Sequence, residues 1–300
     1  NPHVGSRAAC SEADREDQSI VIENMALRVP RLSDAVAAYH ALGYQDAPFS
    51  ADSAAAIALT DPMLTACPNH TILMSQEPYQ TLTFIEWGGD VPTPFAAPGW
   101  AAMEVLVKDL DALFVDLPPA FSLLNPPAAL SFSEHIRAMQ VAGPAGELIY
   151  FTEVSGEVPG FTLPTATQQV NQCFVMINAV TAIETSIDFY ARLLGCAAPS
   201  AMPARVSILS RSNGLDEDHR HAIAPIALSP GQLFELDQWI ERPAAVGQHP
   251  PCGWHSLSIR RNTPPPEGMA TAPAIITEHL LCYDIATPDG ERILWLCPHH

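Results

Sequence analysis

The chain has 300 residues, and 48% of them are hydrophobic, which is enough to build a sizeable core in one or two domains. Asp and Glu outnumber Lys and Arg by 33 to 14, for a net charge of -19. We therefore expect no nucleic-acid partner and no membrane partner, because anionic surfaces are bound through Lys and Arg. No apolar run approaches the roughly 20 residues of a spanning helix, and the polar residues 1–18 do not resemble a signal peptide.

The seven cysteines indicate a reducing compartment. Their number is odd, no pair has CxxC spacing, and most lie within apolar runs. A disulfide scaffold is typical of short secreted chains rather than of one this long. We expect buried, reduced thiols in a cytoplasmic protein.

An internal repeat predicts the fold class. Segments 19–44 and 172–196 each contain an apolar strand-like run, a short polar break, and a helix that ends at Leu-Gly. Gly43 and Gly195 provide the C-terminal stop of each helix. In the second copy a single helical stripe is formed by Ile183, Ile187, Tyr190 and Leu194.

Two further pairs of matching sequence segments extend the repeat along the chain. The dipeptides Gly99-Trp100 and Gly253-Trp254 each open a strand. Segments 133–154 and 277–298 each carry a Glu-His pair, a strand, a Pro-Gly type turn and a second strand. Segment 261–268 stands where the fourth helix belongs, and its three successive prolines exclude a helix there.

The sequence thus predicts four units of strand, helix and three strands, with the helix lost from the fourth unit. We expect a flexible N-terminal tail (1–18), an N-terminal barrel (19–155), a linker (156–169) and a C-terminal barrel (170–300). The linker is rich in Gly, Pro and Thr.

This fourfold beta-alpha-beta-beta-beta order resembles the glyoxalase / bleomycin-resistance / extradiol-dioxygenase superfamily, also called vicinal oxygen chelate. The resemblance covers almost the whole chain and rests on segments such as LSDAVAAYHALGY and TPDGERILWL. It implies an α+β fold of two tandem half-open β-barrels, each with a pocket inside its curved sheet.

The resemblance also implies where metal ligands would lie, namely at the start of a unit's first strand and in its last strand. Most of those positions lack a ligand in this chain: they fall on Asn24, Ala101 or Ala102, Tyr150, Val175 and Leu294, and in unit four on His255 or Ser256. A divalent metal needs about three or four converging ligands. We therefore expect no metal and no other cofactor.

Without a metal, proton transfer would depend on side chains alone. A neutral imidazole or a buried carboxyl with a raised pKa can act as an acid or base near pH 7. The predicted catalytic residues of the C-terminal pocket are His255, His279, Tyr283 and Glu235. The predicted substrate-binding residues are Asn24, His135, Tyr150 and Trp254.

Several residues leave alternatives open. The Glu-His pairs could serve a pocket or, as inherited features of the duplication, a turn or a strand edge. His219 and His221 could form a ligand pair on one face of a strand or lie in a solvated loop. Glu104 lies in an apolar strand, where an inward carboxylate would be costly, so it could also face outward.

We predict an enzyme that acts as a lyase or isomerase on a small oxygenated, and in one version aromatic, metabolite. A metal-dependent ring-cleaving dioxygenase is a first alternative, and it would require His255, His221 and Glu235 together. A binding protein that sequesters a hydrophobic drug or metabolite is a second. The expected partner is a small-molecule substrate, and the sequence leaves homodimer formation open.

Overall fold

The computed structural model describes residues 20–47, 70–74, 80–130, 133–158, 162–229, 231–240 and 252–299. The predicted tail (1–18) lies outside the described residues. Segment 241–251, which precedes Gly253-Trp254, also lies outside the described residues.

The described elements follow the predicted unit order. Unit one contains β1 (Val21–Val29), α1 (Leu32–Ala41), β2 (Gln45–Asp46), β3 (His70–Met74) and β4 (Thr81–Glu86). Unit two contains β5 (Gly99–Val107), α2 (Leu110–Val115), β6 (Ser122–Leu130), β7 (Ser133–Ala142) and β8 (Leu148–Val154).

The second half of the chain repeats this order with one insertion and one loss. Unit three contains β9 (Val170–Val180), α3 (Ile183–Leu194), β10 (Met202–Arg205), a short added helix α4 (Ser207–Ser212), β11 (Arg220–Ala227) and β12 (Leu233–Gln238). Unit four contains β13 (Gly253–Arg260), β14 (Ala274–Thr277), β15 (Leu280–Ile285) and β16 (Arg292–Pro298), and segment 261–268 forms no helix.

Helix α3 ends as the sequence predicts. Its predicted stripe residues are all buried together with Ser186, Ala191 and Leu193 beside them, whereas the opposite face is exposed at Glu184, Thr185, Asp188 and Arg192. Gly195 caps its C-terminus with a φ of 70°, a left-handed conformation that costs little only for glycine. The 3.6-residue periodicity therefore predicts both the helix and the face it buries.

The strands form two eight-stranded sheets, and each is built from two units. Sheet A has the order β14-β15-β16-β13-β1-β4-β3-β2, and sheet B has the order β10-β11-β12-β9-β5-β8-β7-β6. The predicted α+β fold with two half-barrels is thus confirmed. The predicted division placed units one and two in one barrel and units three and four in the other. In the structure, sheet A contains units one and four, and sheet B contains units two and three.

The pairing at the centre of each sheet explains this arrangement. The first strands of the units pair antiparallel, β1 with β13 and β5 with β9, so the two halves of the chain contribute to both sheets. Segments 19–155 and 170–300 are therefore not two separate barrels. The Gly/Pro/Thr-rich segment between them connects β8 to β9 within sheet B.

Two glutamines at equivalent positions of the repeat form hydrogen bonds between the two sheets. Buried Gln80 donates to the carbonyl of Cys173 in sheet B and accepts from its amide, and Gln232 accepts from the amide of Ile22 in sheet A. Each glutamine precedes the last strand of its unit, so the two contacts are related by the duplication.

A buried tyrosine–glutamate pair is repeated in the same way. The Tyr39 hydroxyl of α1 donates to Glu147 Oε1 at 2.9 Å, and the Tyr190 hydroxyl of α3 donates to Glu291 Oε1 at 2.5 Å. Each pair joins a helix of one unit to the turn before the last strand of the following unit, and so links the two sheets. Burial raises the pKa of Glu147 to about 7.

One hydrophobic core occupies the space between the outer faces of the two sheets and includes both long helices. Tyr39 illustrates it, since its ring packs against Phe84 of sheet A and Phe121 of unit two. The concave face of each sheet carries a smaller apolar cluster of its own. Because the main core is shared, neither sheet can bury its outer face without the other.

Within the described residues, the five cysteines form no disulfide; four of them are buried and Cys196 is partly exposed. Among the described helices, none has both the length and the apolar character needed to span a bilayer.

Candidate acid/base site

Three carboxyl groups lie on the concave face of sheet B. Alternation along β12 places Glu235 and Asp237 on one face, and β5 presents Glu104 to the same interior. Their neighbours on this face are apolar, as the pairing of Glu235 with Ile177 and of Glu104 with Val175 shows. The inward alternative for Glu104 is therefore the one that the structure adopts.

Tyr150 and Thr152 of β8 complete the cluster. Tyr150 pairs directly with Glu104, and the Thr152 hydroxyl donates to Glu104 Oε1 at 2.5 Å. Glu104, Tyr150 and Glu235 keep part of their surface accessible, whereas Asp237 is fully buried. The cluster thus lines an interior that solvent can still reach.

Burial dominates the electrostatics of these carboxyls. It raises the pKa of Glu104 to about 8, against the smaller opposing effect of the Thr152 hydrogen bond, and the nearby charge of Glu235 raises it further. Burial likewise raises the pKa of Asp237 to about 7. The pKa of Glu235 is also raised, by burial and then by the charge of Asp237.

Glu235 and Asp237 behave as a pair. Neither carboxyl oxygen of Asp237 accepts a hydrogen bond from a fixed donor, and its polar neighbour is the Glu235 carboxyl. Two adjacent carboxylates cannot both ionise cheaply, so the pair retains a shared proton over the neutral range. Near pH 7 the face therefore holds a protonated acid at Glu104 and an available base in the Glu235–Asp237 pair.

His221 lies on the same concave face, two residues from Ile223, which pairs with Asp237. Its Nε2 is 2.8 Å from the Ser210 hydroxyl of α4, and its ring centroid is 4.8 Å from that of His219. Burial and the neighbouring His219 lower the pKa of His221. His219 precedes β11 in a loop, whereas His221 lies within that strand. The strand alternative therefore describes His221, and the loop alternative describes His219.

Of the predicted catalytic residues, the structure places only Glu235 in this cluster. His255 and Tyr283 lie in strands of sheet A, and His279 lies in the turn between two of its strands, β14 and β15. His255 is a bulged residue of β13, since the flanking Trp254 and Ser256 pair with consecutive residues of β1. Tyr283 pairs with Trp295 and packs against the main core, so it points away from the concave face.

The predicted Glu-His pairs differ in position, because Glu134 and His135 lie at the start of β7 whereas Glu278 and His279 form the turn between β14 and β15. The amides of His135 and His279 each donate at 3.2 Å to the hydroxyl two residues earlier, Ser133 and Thr277. Both histidines are exposed. The alternative of a turn or a strand edge fits these positions, and the structure brings neither imidazole into the carboxyl cluster.

The predicted substrate-binding residues are also separated. Tyr150 lies in the cluster, whereas Asn24 and Trp254 belong to sheet A and His135 is exposed. Trp254 packs in the main core rather than in a concave pocket. The ring-cleaving alternative needs His255, His221 and Glu235 at one point, but His255 belongs to the other sheet.

Sheet A carries a neutral copy of the site. In sheet B, Glu104 pairs with Tyr150 on one neighbouring strand and with Val175 on the other. At the equivalent position of sheet A, Ser258 pairs with Leu294 and with Asn24. Asn24 Oδ1 accepts from the hydroxyls of Thr81 and Thr83, at 2.9 Å each. The equivalent of the acid/base face is therefore built from hydroxyl, amide and apolar groups, with no carboxyl at these positions.

The described residues do not fit the metal that the fold implies. Among them, no group of three or more His, Cys, Asp or Glu is arranged to hold a metal ion. In sheet A the copied positions offer only neutral oxygens, of which Asn24 Oδ1 already accepts two hydrogen bonds.

Comparison with solved structures identifies the fold. Glyoxalase I from Zea mays is 12% identical over 93% of this chain and 92% of its own, with a TM-score of 0.57. A mutant of that enzyme gives 0.59 at 12% identity, with 93% and 94% covered. A putative dioxygenase from Bacillus subtilis gives 0.53 at 13% identity, with 93% and 85% covered.

The chain therefore has the glyoxalase-like fold that is shared with glyoxalase/dioxygenase proteins, as the repeat predicted. No protein-family model and no curated protein matches the sequence. The identities are too low to transfer an activity, so function has to be argued from the site.

Proposed function

We propose that this protein is a metal-independent enzyme, a lyase or isomerase, that moves a proton on a small oxygenated metabolite at the concave face of sheet B. The observation that carries the proposal is the cluster of Glu104, Glu235 and Asp237 around Tyr150 in an otherwise apolar interior. Such a face offers both halves of an acid/base reaction, because burial holds its carboxyls partly protonated near neutral pH.

The roles follow from the separation of the pKa values. The Glu235–Asp237 pair would take a proton from carbon next to a carbonyl, and Glu104, protonated below pH 8, would donate to the oxygen that becomes negative. Tyr150 keeps its proton, since burial and the three carboxyl charges raise its pKa. It would therefore act as a hydrogen-bond donor to the substrate.

The neutral copy supports assigning the chemistry to sheet B alone. In sheet A, Ser258 and Leu294 replace the Glu104–Tyr150 pair at the same register. A hydroxyl and an aliphatic group cannot exchange protons at neutral pH as a carboxyl can. One barrel would then be catalytic, while its copy contributes to the shared core.

Carbon-bound hydrogen exchange tests the proposal. The purified protein is incubated in D₂O with 2-hydroxyketones and 2-oxoacids that carry an α-hydrogen, and ¹H NMR follows loss of the C–H signal. We expect exchange with members of this panel and a loss of about 10²–10⁴-fold in Glu235→Gln, as for removal of a general base.

Glu278→Gln is the matched control, because Glu278 is an exposed carboxyl beside His279 in the turn between β14 and β15. It should leave the exchange rate unchanged. Exchange that is absent over the whole panel, or equal in wild type and Glu235→Gln, would contradict the proposal.

A further inference from the structure

Helix α4 is an addition to the repeated unit. It lies between β10 and β11, the second and third strands of unit three. In units two and four the corresponding strands are separated only by residues 131–132 and 278–279. A tight turn is enough to join neighbouring antiparallel strands, so segment 206–219, which contains α4, does more than connect them.

Helix α4 packs against the concave face of sheet B. Its residues Ile208 and Leu209 are buried and belong to the apolar cluster of that face. The same cluster includes Val175 and Tyr150, which flank Glu104 on the two neighbouring strands. The helix therefore occupies space beside the carboxyl cluster that a substrate has to enter.

A row of directly paired residues links the far edge of the sheet to this cluster. It runs from Asn125 on β6 through Gln140 on β7 and Tyr150 on β8 to Glu104 on β5. Directly paired residues lie on one face of a sheet, and Asn125 Nδ2 donates to Gln140 Oε1 at 2.8 Å. The Asn125 side chain therefore stands on the concave side, in line with the acid/base residues.

Asn125 also joins β6 to α4. Its Nδ2 donates to Ser207 Oγ at 3.0 Å, and its Oδ1 accepts from Arg211 Nη2 at 2.8 Å. We call these contacts of Asn125 with Ser207 and Arg211 the latch. Strands β6 and β10 are the two edges of sheet B, and α4 directly follows β10. Helix α4 thus spans the open side of the half-barrel from one edge to the other.

The other side of α4 is anchored within unit three. The buried Ser210 hydroxyl lies 2.8 Å from His221 Nε2. Gly214, just beyond the helix, has a φ of 64°, and a Cβ placed there would meet no described atom within 4 Å apart from its chain neighbours. The contact between Arg211 and Asn125, by contrast, is exposed, and exposed polar contacts are individually weak. The latch would therefore break before the anchored side does.

We propose that α4 is the lid of the sheet B site, which opens when the latch breaks and admits the substrate between α4 and β6. This inference rests on the function proposed above and adds how access to its site is controlled. The apolar side chains of Ile208 and Leu209 keep the closed form dominant, because opening exposes them to water. The open form is a minor population through which the substrate enters. Asn125 and Arg211 are positioning residues of the lid.

Thiol labelling of the full chain measures lid opening without a substrate. Val175→Cys places a thiol of similar size next to Glu104, and N-ethylmaleimide is an uncharged probe of metabolite size. Digestion and mass spectrometry follow modification at position 175 over time. We expect labelling to become about two- to tenfold faster when Arg211→Gln is added, as for the loss of one surface hydrogen bond.

Cys173 provides an internal control on the same strand. It is buried in the main core rather than on the concave face, so its labelling reports unfolding of the sheet. Position 175 should label much faster than Cys173, because the lid opens while the core stays folded. A general loosening of the fold would instead bring the two rates together.

Arg205→Gln is the matched control for the latch. Arg205 and Arg211 have similarly exposed side chains, 51% and 47%, but Arg205 pairs with Asp218 of its own unit. Arg205→Gln should leave labelling at position 175 unchanged. Asn125→Ala removes the latch from the side of β6 and should accelerate labelling at least as much as Arg211→Gln, and circular dichroism verifies that each variant is folded.

The lid would be overturned by labelling at position 175 that is as slow as at Cys173, or by labelling that neither latch variant accelerates. Equal acceleration by Arg205→Gln would overturn it as well, since charge removal alone would then explain the effect.

The α-hydrogen exchange assay separates failure of the lid from failure of the proposed function. If exchange depends on Glu235 while labelling ignores the latch, the proton-transfer function stands and the lid is wrong. If labelling follows the latch but no Glu235-dependent exchange is found, α4 does open over this face and the acid/base function is wrong.

Discussion

At the scale of single residues, sequence reasoning located part of the candidate site. Glu235 and Tyr150 were predicted on last strands, and both lie in the cluster. Asp237 was missed, although the two-residue spacing in LFELDQ already places it on the same strand face as Glu235. Alternation was therefore a usable signal for Asp237.

The orientation of Glu104 is a different case. A carboxyl between Met103 and Val105 can face either side of a strand, and the local pattern does not decide which. The side is fixed by the pairing of β5 with both β8 and β9, which is a tertiary property. The orientation of His255 could not be predicted from the sequence either. It depends on a bulge in β13, and no residue type in that strand indicates a bulge.

At the scale of elements, the repeat predicted the order of strands and helices but not their partners. Each unit carries the same pattern, so a unit could pair with its neighbour in sequence or with a distant one. The buried contacts made by Gln80 and Gln232 lie between sheets, and nothing in their sequence spacing reveals a partner about 93 or 210 residues away. The sequence therefore predicted the order of the elements but left open which strands pair with each other.

The observed topology predicts how a cut chain behaves. If a protease site is inserted in segment 162–169 and cleaved, the two fragments should remain associated, because β1–β13 and β5–β9 pairing joins them in both sheets. Size-exclusion chromatography and native mass spectrometry of the cleaved protein should show a complex of the intact mass. An uncut chain with the same insertion is the control.

Dissociation into two folded monomers without denaturant would contradict that topology and restore the division into separate barrels at 19–155 and 170–300. Each fragment alone would retain only the strands of two units from different sheets, and would expose the face that the main core covers.

At the scale of the whole molecule, the raised carboxyl pKa values determine how stability depends on pH. The pKa of Glu104 is raised from 4.5 to about 8 on folding, so the folded chain binds a proton that the unfolded chain has lost in that range. Its contribution to stability is greatest below pH 4.5 and falls as pH rises toward 8. Asp237 and Glu147 act in the same direction up to about pH 7.

We expect the free energy of unfolding, measured by urea denaturation, to decrease between pH 5 and pH 7. Removing one such group by Glu104→Gln should make that slope shallower by about 1.4 kcal/mol per pH unit, the value for one proton. Glu278→Gln, at an exposed carboxyl, should leave the slope unchanged. A wild-type stability that rises over this interval, with no effect of Glu104→Gln, would show that these carboxyls ionise normally.

The proposed chemistry depends on one property of the whole fold, namely that sheet B buries Glu104 and the Glu235–Asp237 pair deeply enough to raise their pKa values. Titration of the side-chain carboxyls by ¹³C NMR measures this property without a substrate. We predict a pKa of about 8 for Glu104 and about 7 for Asp237, and a lower pKa for Glu104 in Glu235→Gln, where a neighbouring negative charge is removed. Carboxyls that all titrate near their ordinary value of about 4 would contradict an acid/base site in sheet B.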